Sequence, residues 1–167
     1  MKVSNSLIST LLLLAFSNPL ISAEKTRQNA TATQMSKMTV KGFLYGALND
    51  SRISNELKTC LSGIDDTLLT DTYAELMSVR FSSTEIATLD EFYASELGER
   101  YITALGNSKG IASDAEKQFK AEEIRTIRRI TQSDLDSRMQ SIPRDKANFQ
   151  LMVEKLSIPF HQCKNDS

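Results

Sequence analysis

The chain has 167 residues, with 20 basic and 21 acidic side chains, one histidine, two cysteines and a net charge of −1. This near-neutral balance lacks the basic field that neutralises phosphates, so nucleic acid is excluded as a partner. One histidine and two cysteines make no ligand cluster with zinc spacing, so neither a metal nor any other cofactor is expected, and the length suits one helical core.

Met1-Lys2-Val3 carries one positive charge, and residues 7–21 are nearly all apolar, with leucine at Leu11, Leu12, Leu13 and Leu14. Ser22-Ala23 places two small residues before Glu24, so residues 1–23 read as a cleavable signal peptide. The apolar run is short for a membrane span, which needs ~20 apolar residues, and Asn18-Pro19 interrupts it. No stable membrane anchor is expected after cleavage. The expected location is the periplasm, with secretion as the alternative. Loss of Lys2 makes the mature chain slightly more acidic.

Residues 24–33 are polar without an apolar period and read as a flexible leader, which leaves 34–164 as the helical domain. Met35, Met38, Phe43, Leu44, Ala47 and Leu48 then mark a helix weakened by Gly42 and Gly46. Ile53, Leu57, Cys60, Leu61 and Ile64 form a continuous stripe that places Cys60 on the buried side of the next helix. Asp65-Asp66-Thr67 supplies acidic and capping groups for a third helix that carries Leu69, Tyr73, Leu76 and Met77 and stops near Phe81.

Ser82 and Glu85 have the spacing of a capping box, and Ile86, Leu89, Phe92, Tyr93 and Leu97 give the face that follows. Gly98 and Gly106 are expected as helix terminators on either side of a short piece with Tyr101, Ile102 and Leu105. After an expected loop at 107–110, Ser113-Asp114-Ala115-Glu116 reads as a second capping box, opening one helix with Phe119, Ile124, Ile127 and Ile130 that bends near Gln132. Ser133 begins another helix with Leu135 and Met139, and Pro143 ends it. Phe149, Met152, Val153 and Leu156 form the last stripe, expected to end at Ile158-Pro159. No period-2 run is long enough for a strand. The predicted fold is all-α, a single-domain bundle of about six to seven helices. One disulfide, Cys60 with Cys163, would tie the tail to an early helix.

Catalytic chemistry finds little footing. Acyl transfer needs an oriented base, and His161, the one histidine, lies between Phe160 and Gln162 in the tail. Paired cysteines are not nucleophiles. A pair of acids could cleave glycosidic bonds, but Asp65, Asp66, Glu85, Asp90, Glu91, Glu96 and Glu99 fall at helix starts or on expected polar faces. No catalytic residue is assigned, and the reading leans away from an enzyme. Arg125, Arg128 and Arg129 stand on one helix face, where like charges cost stability unless an anion is near. They are candidate contacts for a carboxylate- or phosphate-bearing partner, against the alternative of a solvated face balanced by Glu122 and Glu123. Tyr93 joins them as an edge aromatic with a hydroxyl to satisfy.

Residues 81–100 resemble a family of bacterial exported helical domains whose activity is uncharacterised. The family's box, F-Y-x-S-P-x-G-x-K, stands here as Phe92-Tyr93-Ala94-Ser95-Glu96-Leu97-Gly98-Glu99-Arg100, with Glu96 for the proline and Arg100 for the lysine. The resemblance implies an exported, periplasmic helical domain and carries no catalytic role. The favoured function is non-enzymatic binding of a protein partner, as an immunity protein against a secreted effector or as an envelope adaptor. The alternatives are a cell-wall hydrolase with paired carboxylates and an anion or small-ligand binder. Homo-oligomerisation stays open, and glycosylation sequons at Asn29, Asn49 and Asn165 leave a eukaryotic secreted origin open.

Overall fold

The computed structural model describes residues 29–108 and 111–166. These form α1 (Ala30–Asn49), α2 (Asn55–Ser62), α3 (Thr70–Arg80), α4 (Ser83–Tyr93), α5 (Glu96–Asn107), α6 (Ala112–Glu116), α7 (Ala121–Thr131), α8 (Asp134–Ser141) and α9 (Lys146–Asp166), with a 3-10 turn at Ile142–Arg144 before α9. No strand occurs among the described residues, whose regular structure is all helical, as the periodicity requires. The nine helices among the described residues exceed the expected six to seven, partly because the single helix expected from Ser113 is two. The expected signal peptide and leader residues 24–28 lie outside the described residues, as do Lys109 and Gly110.

The first helix begins inside the expected leader, at Ala30, and Thr31 and Ala32 are buried. Polarity misled here because the start of α1 is held by a distant group: the backbone N–H of Thr31 donates to Asp90 Oδ1 at 2.8 Å. Ala32, Ser36, Val40 and Leu44, each four residues on, form the buried ridge of α1, which packs most extensively across α3 and also against α4 and α2. Ser36 is fully buried yet satisfied: its hydroxyl donates to Asp66 O at 2.8 Å and accepts from Leu69 N at 2.9 Å. That pair of bonds pins the turn at 65–69 to α1. Asp65 accepts from the N–H of Thr67 within that turn, so α3 starts later than its acidic signal suggests, at Thr70.

At the start of α4 the capping box forms: Ser82 Oγ accepts from Glu85 N at 3.3 Å, and Glu85 Oε2 accepts from Ser82 N at 2.8 Å. The α4–α5 corner is made by Ser95 rather than by a glycine terminator. Ala94 closes α4, while Ser95 Oγ donates to Phe92 O at 2.6 Å and accepts from Gly98 N at 3.0 Å, which caps α5. Gly98 and Gly106 both lie inside α5, which corrects their expected role. Gly98 is required for a different reason: a Cβ there would sit 2.1 Å from Phe92 O.

The second expected capping box does not form. Ile111 caps α6 without a side-chain bond, and α6 is only Ala112–Glu116. A new helix, α7, starts at Ala121, where the Lys120 N–H donates to Glu123 Oε2 at 2.9 Å. At the far end, Asp145 Oδ1 accepts from Ala147 N and Asn148 N and so opens α9. This helix continues through Pro159 to Asp166 instead of stopping at the proline. Pro159 removes one intrahelical donor, but Cys163 beyond it is buried and bonded.

Cys60 and Cys163 form the expected disulfide, with S–S 2.00 Å and Cα–Cα 5.6 Å. Cys60 itself is exposed on α2, a correction to its expected buried side; the short α2 buries Leu61 instead, and Cys163 carries the buried half of the bridge. The bond joins α2 to α9, which also pack on each other, across 103 residues of chain.

Candidate functional site

The four residues proposed from sequence as partner contacts do not come together. Tyr93, expected at an edge, is 3% exposed. Its ring meets Phe92 edge-on at 5.1 Å between centroids, and its hydroxyl donates to Asp136 Oδ1 at 2.8 Å. Burial, then the adjacent Asp136 charge, pushes the Tyr93 phenol far above its ordinary range. Burial likewise pushes the Asp136 carboxyl up, while the hydrogen bond from Tyr93 pulls it down. This buried pair fastens α4 to α8.

On α7, the outer face carries Arg125, Arg128 and Arg129, all exposed. Arg128 is committed to Glu116 on α6 through two bonds, Nε to Oε1 at 3.0 Å and Nη2 to Oε2 at 2.6 Å. This fork geometry lowers the Glu116 carboxyl below its usual range. Arg125 and Arg129 make no salt bridge among the described residues and stand as exposed cations at i and i+4. Beside them, Arg100 of α5 bonds Glu123 at 2.8 Å and lies 5.1 Å from the centroid of the Phe119 ring. The predicted cluster therefore divides into one arginine used to hold α6 against α7 and two that face solvent.

Glu122 and Glu123 also part ways. Glu123 closes the start of α7 and pairs with Arg100, with its carboxyl lowered first by the Lys120 N–H and then by Arg100. Glu122 stays exposed on the same face as Arg125 and Arg129.

Two buried acids were missed by the sequence reading. Asp90 and Asp136 are 4% and 5% exposed. The signal was present in the spacing: Ile86, Asp90, Tyr93 and Leu97 fall at i, i+4, i+7 and i+11, a single helical stripe, and Asp136 precedes the buried Met139 by three. Asp90 is expected at a helix start or on a polar face, and Asp136 within the helix start at Ser133, because charged side chains are almost never buried unless paired. Their partners, Thr31 N and Tyr93 Oη, are 59 and 43 residues away. Arg138 was also missed. It donates to Glu85 Oε1 and to Arg80 O, both at 2.7 Å, and its guanidinium lies 4.6 Å from the Phe81 ring centroid, so it locks the α3–α4 junction to α8.

The exposed surface that does assemble is apolar. Leu151 and Ile158, seven residues apart on the outer face of α9, are 38% and 60% exposed, and Phe149 at the start of the helix is 54% exposed. Seven residues advance a helix by ~10 Å, so Leu151 and Ile158 lie on one line two turns apart. Glu154, Lys155 and His161, each three or four residues from Leu151 or Ile158, are exposed. Phe149 belonged to the expected buried stripe; its exposure is a correction, because Asn148 and Met152 turn inward at the start of α9.

No family model, curated protein or solved structure matches the chain. Among the described residues no group of three or more His, Cys, Asp or Glu could hold a metal ion, and no helix is long and apolar enough to cross a membrane.

Proposed function

We propose that this chain is an exported, periplasmic helical protein that acts by binding a protein partner, as an immunity protein against a secreted effector or as an envelope adaptor. The observation that carries the reading is the exposed apolar line of Leu151 and Ile158 on α9, flanked by Glu154 and Lys155. Apolar groups left in water on a helix face rimmed by charge have the composition of a protein contact. Arg125 and Arg129 supply a second, charged contact whose chemistry suits carboxylates on the partner. A disulfide is at home in an oxidising compartment, which supports export.

Membership of the exported family is part of the same proposal. Its box has a physical role at each matched position: Phe92 and Tyr93 are core, Ser95 caps α5, and Gly98 admits the Phe92 carbonyl. Glu96 occupies the first position of α5, where proline is favoured in helices generally and where an acid suits the helix dipole.

The test is capture from periplasmic extract on the immobilised protein, with a Leu151→Lys/Ile158→Lys variant in parallel. A stoichiometric protein held by the wild type and lost by the variant is the expected result. No retained partner, together with release of fragments from peptidoglycan by the purified protein, would replace this reading with the hydrolase.

A further inference from the structure

The acid that caps α1 uses only half of its carboxylate. Asp90 Oδ1 accepts from the Thr31 N–H at 2.8 Å, whereas Oδ2 is buried and has no hydrogen-bond partner among the described residues. No salt bridge among the described residues involves Asp90. A carboxylate held in this way is under-compensated, because burial of a charge is costly unless it is paired.

Asp90 also forms part of the wall of a cavity of about 320 Å³ between the start of α1, α3 and α4. Ala32, Met77, Ile86 and Ala87 give this cavity apolar sides, Asn29, Ser78 and Ser83 add polar groups, and no lysine, arginine or histidine among the described residues lines it. Its volume falls at the lower end of ordinary ligand pockets. The Asp90 χ2 torsion joins a tetrahedral to a planar carbon and is soft, so a modest turn can present Oδ2 to the cavity while Oδ1 stays near Thr31.

We propose that this cavity is a binding site for a small primary ammonium ion on an apolar stem. The ammonium donates to Asp90 Oδ2 and brings a positive charge to the carboxylate, and the stem packs on Ala32, Met77 and Ile86. A carboxylate or phosphate ligand would meet the Asp90 charge with the same sign. A quaternary ammonium brings charge but no N–H donor, and an alcohol of equal length brings a donor without charge.

The site can be tested on the full exported protein with n-butylammonium chloride as the probe, following the backbone amide resonances of Thr31, Ala87 and Asp90. Saturable shifts with Kd of about 1 mM or tighter are expected, a range that so small a molecule can reach. 1-Butanol and tetramethylammonium should each bind at least about tenfold more weakly, the scale of one charged hydrogen bond. Asp90→Asn should weaken the probe by a similar factor. Because Asp90 also caps α1, Ala87→Leu serves as the second variant: it fills the cavity from an exposed position and leaves the carboxylate in place. Loss of binding in a folded Ala87→Leu protein supports the site. Shifts that do not saturate, equal binding of 1-butanol, or an unchanged Kd in Ala87→Leu would overturn it.

Discussion

The α4–α8 seam and the outer face of α7 both carry ionisable groups at helical spacing, yet the first is buried and the second faces water. In the seam, Tyr93 and Asp136 are sealed together, and each is the other's long-range hydrogen-bond partner. On α7, Arg128 is held by Glu116 while Arg125 and Arg129 remain free of ion pairs among the described residues. An interior polar pair is expensive to disturb, because its remaining member cannot turn to water. An exposed cation loses almost nothing on removal, and that makes it available to a partner.

The sharpest way to break the contrast is at the corner that sets the seam. Gly98→Ala places a methyl group against the Phe92 carbonyl, 2.1 Å from its oxygen, so α4 and α5 must part; a loss of about 3 kcal/mol is expected in urea unfolding. Tyr93→Phe keeps the ring and removes the donor to Asp136. Leaving that buried carboxylate without its partner should cost about 2 kcal/mol and bring the Asp136 carboxyl still higher, a change that carboxyl NMR titration reads directly.

Titration with acid divides the seam itself, because two of its acids respond with opposite sign. Glu85 is held at about 2, first by the Ser82 N–H and then by Arg138, so its stabilisation is present above its unfolded value near 4.5 and is lost as pH falls through about 2. Asp136 is raised, so its contribution runs the other way, and stability declines as pH climbs above its unfolded value of 3.8 toward the folded one. Glu85→Gln should therefore flatten the fall of melting temperature between pH 4.5 and 2 and leave the change above pH 5 as it is. Arg125→Ala with Arg129→Ala should give the smallest effect, within about 0.5 kcal/mol of wild-type stability, since both are exposed. An additional loss of captured partner in that double variant would show that the face is used for contact.

Several elements were legible in the chain because their causes are local. The Ser82–Glu85 box, the Ser133 start and the stop at Phe81 depend on groups within four residues, and the disulfide followed from an even count of cysteines in a chain expected to be exported. The errors have a common origin in distance. The leader boundary failed because Asp90 stabilises the start of α1 from another helix. The second capping box failed because Glu116, its expected acid, is bonded by Arg128 from twelve residues on, and α6 packs on α5.

The sequence by itself determined the helical class, the main apolar stripes and the sulfur bridge, since periodicity and residue counts survive without knowledge of neighbours. Only the tertiary structure decided which polar groups are interior: Asp90 and Asp136 went inside with Tyr93, and the arginines of α7 were divided between an ion pair and open solvent. The physical reason is that burial of a charge is set by the partner that meets it, and those partners lie 43 and 59 residues away for the two acids.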